Sequence, residues 1–167
     1  MKNLATNAAH LIPERFRDQF FISAWSFFNV PMLFWLRPKI VEIKNDKTII
    51  SIPLNKRSKN HLNSMYFGAL AAGADCAGGI LAMKLIKESG QNVSLAFKDF
   101  KADFLKRAEG DTHFICEEGS EIRDFIQEVL KSDERLNKEV SVYAVCPTTT
   151  GDEPVAKFKL TLSLKKK

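Results

Sequence analysis

SMYFGALAAGADCAGGILAM, residues 64–83, runs for twenty residues with a single charged side chain, Asp75, near its centre. At helical spacing Gly68, Ala71, Ala72, Asp75, Gly79 and Ala82 share one face, while Tyr66, Leu70, Leu81 and Leu85 form a bulkier stripe. No basic residue lies three or four positions from Asp75, so the helix itself cannot pair that carboxylate. A carboxylate in an apolar setting must be neutralised, find a partner elsewhere or have a chemical role. The segment is long enough to span a membrane, but it is rich in Gly and Ala and holds an acid at mid-depth, where a charge is costly. It reads as a buried core helix over about 64–87, with Ser64 as its N-cap and Ser89-Gly90 as its end.

Outward from this helix the pattern changes on both sides. Upstream, residues 13–29 predict a helix, with Pro13 in a first-turn position and Phe16, Phe20 and Phe27 at near-helical spacing. Pro31 breaks it, and Met32–Leu36 adds a short turn before Arg37-Pro38. IVEIKNDKTIISIPL alternates about Asn45-Asp46, which is a hairpin signature. Downstream, VSLAFKDFKADFLKRA reads as a strand in which Phe97, Phe100, Phe104 and Leu105 cannot share one face without a bulge. THFICEE follows as a further strand. Ile122, Phe125, Ile126, Val129 and Leu130 then mark an amphipathic helix over about 119–131, and VSVYAVC and AKFKLTLSL close the chain as strands. The order predicts an α+β fold, a mostly antiparallel sheet around one very apolar helix. It divides into an N-terminal helical segment, 1–37, packed on a single domain, 38–167.

Composition narrows the function classes. The net charge of +5 comes largely from Lys165-Lys166-Lys167, and no basic stripe interleaved with exposed aromatics points to nucleic acid. The three cysteines, Cys76, Cys116 and Cys146, form neither a disulfide framework nor a CxxC pattern, and the three histidines are scattered. No metal site is expected, and a reducing compartment is. The first nineteen residues mix acids and bases where a secretory signal needs an apolar core, so the expected location is cytoplasmic. Residues 20–36 are apolar but interrupted by Asn29 and Pro31, so no stable membrane insertion is expected.

Taken together, the element order and the string NHLNSMYFGALAAGAD resemble the hotdog fold, and within it the thioesterase branch that includes the phenylacetate-pathway type. In that branch the helix entrance reads N-x-x-x-x-x-H-G-G, with an A-D pair several residues into the helix. Asn60 falls on the Asn, Gly68 on the second Gly, and Ala74-Asp75 on the A-D pair. The local string is still more similar to a hotdog family carrying an NHLxSxYxGAL segment, and KDFKADFLKRAEGD is similar to that family's long strand and turn. The likeness covers roughly residues 38–164, to which the helix at 119–131 is an addition. Tyr66 stands at the family His position and Phe67 at the first Gly.

The resemblance implies hydrolysis of acyl-CoA or acyl carrier protein thioesters by carboxylate-assisted attack of water. It also implies a homodimer or dimer of dimers, with no cofactor beyond the coenzyme A of the substrate. Asp75 would be the general base or nucleophile, Asn60 would hold water or thioester, and Gly68 would open the helix start for the carbonyl. Each residue also has a plainer reading. Asp75 can be a buried carboxylate bonded to a partner strand, and Asn60 can shape a local turn. Tyr66, beside Phe67, can donate to a carbonyl or sit in the core. His61 can assist as a base, bind phosphate or simply lie on a surface loop. Lys56, Arg57 and Lys59 can hold coenzyme A phosphates or be solvated. Cys76 reads as a buried thiol. The aromatic N-terminal segment is expected to pack on the sheet and to cover a hydrophobic tunnel. The alternative function is a non-catalytic acyl-CoA or fatty-acyl binding protein.

Overall fold

The computed structural model describes residues 14–167, with side chains from Gln19 onward except Phe21. Pro13, the stretch read for signal character and the side chain of Phe16 lie outside the described residues. Helix α1 (Glu14–Asn29) is followed by the short α2 (Pro31–Leu36), which starts at the expected proline. Arg37 ends α2 in the left-handed region, φ 54°, with its N–H on the Leu33 carbonyl. The Gln19 amide then ties α1 to the next strand. Its Nε2 donates to the Pro38 carbonyl at 3.0 Å and its Oε1 accepts from the Ile40 N–H at 2.9 Å.

Six strands form one sheet: β1 (Lys39–Ile43), β2 (Thr48–Ile52), β3 (Val93–Phe104), β4 (Thr112–Cys116), β5 (Leu136–Val145) and β6 (Pro154–Lys166). Their spatial order is β1-β2-β4-β5-β6-β3, and every neighbouring pair is antiparallel. Alternation puts Ile50, Phe114, Val140, Val142, Phe158, Leu160 and Leu162 on the covered face, each at most 2% exposed. Burying each such side chain contributes about 1.5–3 kcal/mol. The expected irregularity in β3 is a register shift against β6 between Phe97 and Phe100. It leaves Phe97 half-buried, its ring against Gly78 and Gly79 of the central helix. Phe100 and Phe104 of this edge strand, and Leu105 just after it, stay at the surface.

The central helix, α3 (Phe67–Glu88), packs on β2, β4 and β5, and its buried residues run from Ala69 to Leu85. It is apolar and long enough to cross a membrane, yet most of it is buried inside this fold. It begins at Phe67, three residues later than expected. The Met65 N–H is held by the Ala108 carbonyl at 2.8 Å and the Tyr66 N–H by that of Ser58 at 2.7 Å, so this stretch stays extended. Helix α4 (Gly119–Leu130) buries Ile122, Phe125, Ile126 and Val129 on α3, β5 and β6. A Cβ at Gly119 would stand 2.1 Å from the Asn45 carbonyl oxygen, so glycine lets α4 start against the β1–β2 turn. The result is the α+β layout of a hotdog, a curved antiparallel sheet wrapped around one long helix.

Candidate functional site

The sheet does not enclose α3 completely. Along the open side, between the edge strands β1 and β3, lies a cavity of about 620 Å³. Its floor is α3 from Asp75 through Gly79 and Ile80 to Met83, Lys84 and Lys87. Ile40 and Ile43 of β1 form one wall and Leu95, Ala96 and Phe97 of β3 the other. Ile22 and Trp25 of α1, with Val30 and Leu33 at α2, close it from above. This size is typical of small-ligand sites, and the lining is predominantly hydrocarbon.

Asp75 is a charged group on an otherwise apolar stretch of this floor. Among the described residues it has no hydrogen-bond or ion-pair partner. Burial alone pushes its carboxyl above the ordinary value of 3.8, because the charged form has lost water without gaining a donor. A carboxylate in that state is a better proton acceptor at neutral pH than a solvated one. Cys76, beside it in the same lining, is pushed up to about 12, first by burial and then by the charge of Asp75. It is a thiol there, not a thiolate nucleophile.

The α3 entrance is built differently. Asn60 Oδ1 accepts from the Leu62 N–H at 2.8 Å and the Ser64 N–H at 3.3 Å, and Asn60 Nδ2 donates to Ser64 Oγ at 3.2 Å. These bonds make the local turn of the plainer reading, while one N–H of Nδ2 remains. Ser64 is buried in this turn and is not the helix cap; Tyr66 holds that position with no side-chain bond. A Cβ at Gly68 would meet the Tyr66 ring at 2.6 Å, so glycine lets that ring lie over the first turn. The main-chain N–H groups of Phe67 and Gly68 have no acceptor among the described residues, as first-turn donors commonly do not. Tyr66 and Phe67 are about half exposed, with ring centroids 4.7 Å apart.

Of the residues assigned a catalytic or substrate-binding role from the sequence, Asp75 lines the cavity. Asn60, His61, Tyr66, Phe67, Gly68, Lys56 and Arg57 belong to the entrance, and within one chain the two groups are not brought together. Gly68 and Asp75 are separated by about 10 Å of helix rise. His61 and Lys56 are exposed, and the Arg57 guanidinium lies 5.8 Å from the Trp35 ring centroid. The aromatic N-terminal segment meets the sheet at β1 and covers the cavity through Ile22, Trp25, Val30 and Leu33, but most of its rings are not in that contact. Its buried face is Ile22, Ser26, Leu33 and Leu36, whereas Trp25, Phe27, Phe28, Phe34 and Trp35 are 41–77% exposed. Smaller side chains permit the close approach of α1 and α2; the rings of Phe27, Phe28, Phe34 and Trp35 stand at the surface, Phe27 meeting Phe28 and Phe34 edge-on, while Trp25 lines the cavity. The cavity walls at Ile40, Ile43 and Leu95 were not singled out in the sequence. Their only signal is strand alternation, which marks a buried face without telling floor from cavity. Among the described residues no cluster of three His, Cys, Asp or Glu side chains is placed to hold a metal ion.

Residues 19–164 match the family described as a domain of unknown function, DUF4442. The chain belongs to that family. No curated protein matches the sequence. Among solved structures, a protein with unknown function from Chlorobaculum tepidum is 14% identical, with a TM-score of 0.77 over 90% of this chain and 96% of its own. A thioesterase from Haemophilus influenzae is 13% identical, with a TM-score of 0.66 over 87% of this chain and 88% of its own. A thioesterase family protein from Silicibacter pomeroyi is 19% identical, with a TM-score of 0.63 over 87% and 96%. At these identities the likeness is one of fold. This DUF4442 chain has the hotdog fold of thioesterase-family proteins.

Proposed function

We propose that this protein is a thioesterase acting on acyl-CoA or acyl carrier protein thioesters in the cytoplasm. The observation that carries the reading is Asp75, an unpartnered carboxylate on the wall of an apolar cavity in a hotdog fold. Asp75 takes a proton from water as the oxygen attacks the thioester carbonyl. The tetrahedral intermediate then collapses, and the same carboxylic acid protonates the departing thiolate. The oxyanion needs donors, and the free N–H groups of Phe67 and Gly68 are of the right kind. Within one chain they are too far from Asp75 to share a carbonyl, so the working unit is a homodimer or dimer of dimers in which one copy's entrance meets the other's carboxylate. The exposed apolar side chains at the entrance and along edge strand β3 (Tyr66, Phe67, Phe100, Phe104 and Leu105) support that assembly. The remaining N–H of Asn60 would orient water or substrate, and Lys56, Arg57 and His61 lie on the same entrance for the coenzyme A phosphates.

A second reading is favoured by one specific feature. Tyr66 and Phe67 stand where the resembled motif has His-Gly, which fits a protein that binds acyl thioesters without cleaving them. The discriminating experiment follows free-thiol release from acetyl- to palmitoyl-CoA, and from the matching acyl carrier protein thioesters, beside equilibrium binding of each. Turnover supports the thioesterase. Saturable binding with no turnover on either carrier overturns it in favour of the binding protein.

A further inference from the structure

The cavity has a shape and chemistry of its own beyond the presence of Asp75. It follows α3 for the nine residues from Asp75 to Met83, about 12 Å of helix rise, as a trough and not a round pocket. Midway along it, Gly79 has no side chain to fill the trough, and a Cβ built there would meet only the Phe97 ring, at 3.5 Å. Ile22 and Trp25 of α1 line the same cavity. Between Asp75 and the lysines at the far end the lining is aliphatic and aromatic, apart from the weakly polar Cys76 thiol. A hydroxylated or charged acyl group would lose water there without finding a partner. An acyl group of two to four carbons would leave most of the trough wet, whereas each further methylene removes apolar surface from water.

We propose that this trough, roofed by α1 and α2, seats an unbranched, unsubstituted aliphatic chain of medium to long length, with its thioester carbon at Asp75 and its methyl end towards Met83. The assignment rests on the thioesterase reading for the identity of the head group, but the chain site itself does not require turnover. Met83, a flexible side chain 41% exposed at the far end, adapts to the last carbons of the chain. Short and polar acyl groups are the poor ligands of this site.

The test uses S-alkyl pantetheine thioethers of 4–16 carbons, which carry the arm common to coenzyme A and acyl carrier protein and cannot be hydrolysed. Binding is read by titration calorimetry and by Trp25 emission in the full-length Trp35→Phe protein, in which Trp25 is the sole tryptophan. Affinity is expected to rise about fourfold per carbon from the butyl compound until the trough is full, with a blue shift of Trp25. Gly79→Leu should weaken the dodecyl compound at least tenfold and leave the butyl compound unchanged. Met83→Phe, at a more exposed position that tolerates change, should end the rise at a shorter chain. Affinity that is flat with chain length, or equal for the dodecyl compound in wild type and in the folded Gly79→Leu or Met83→Phe protein, overturns the proposal. Chain-length-dependent binding without thiol release on any thioester sustains the trough and overturns only the thioesterase reading. Turnover that is indifferent to chain length does the reverse.

Discussion

Gly73 and Gly79 are less than two turns apart on α3 and do opposite things. At Gly73 a Cβ would stand 2.3 Å from the ring of Phe114, a side chain with no exposed surface, so the helix there presses directly on the sheet. At Gly79 a Cβ would meet ordinary contact with Phe97 and otherwise face the cavity. The same residue serves close packing on one face and open space on the other. Asp75 lies between them, on the side that is open. The difference teaches that small residues on α3 have two settings: Gly73 is small where the sheet is close, and Gly79 is small where the helix borders open space.

Substitutions can break this contrast. Gly73→Ala overpacks a full interior and should cost about 1–3 kcal/mol. In a chain of this size each kcal/mol shows as about 2–4 °C in Tm. An unchanged melting temperature would mean that α3 is not seated as closely on β4 as the geometry requires. Asn60→Ala removes a turn made by one side chain and should cost about 1 kcal/mol. If Asn60 also orients water or substrate, kcat falls further than the loss of folded protein accounts for; a fall in stability alone would restrict it to the turn.

Gly79→Ala should be neutral or stabilising by up to about 1 kcal/mol, because alanine favours the helix and its methyl has room. Marked destabilisation would show that the open side is filled. For Asp75→Asn the size of the effect depends on pH. Burial raises the folded-state value above 3.8, so ionised Asp75 disfavours folding. That penalty is absent below the unfolded value, grows as pH rises from there to the folded value, and is complete above it. Asparagine should therefore raise Tm at pH 7, and the gain should vanish as the pH falls towards 3.8. A gain that persists in acid would trace the effect to something other than the charge.

Much of the frame was legible from residues. The spacing of Ile122, Phe125, Ile126 and Val129 marked α4, alternation marked β5 and β6, and the misfit of Phe97 with Phe100 announced the bulge in β3. Other features depended on contacts distant in sequence. The late start of α3 comes from bonds to Ala108 and Ser58, which no local signal at Ser64 reports. The exposed rings of Phe27, Phe28, Phe34 and Trp35 follow from how closely α1 and α2 approach the fold, not from their periodicity. In the candidate site, Asp75 was conspicuous as an acid without a helical partner. That it faces a cavity became visible only when residues from Ile22 to Phe97 were brought around it.

The central claim is that Asp75 works on a thioester bound in that cavity. The direct measurement is kcat/KM for dodecanoyl-CoA, by free-thiol release, in wild type and Asp75→Asn, with folding of both verified by their melting curves. The account predicts turnover by wild type and a loss of about 10²–10⁴-fold in the variant, the usual contribution of a positioned base. Equal rates in the two folded proteins would contradict it.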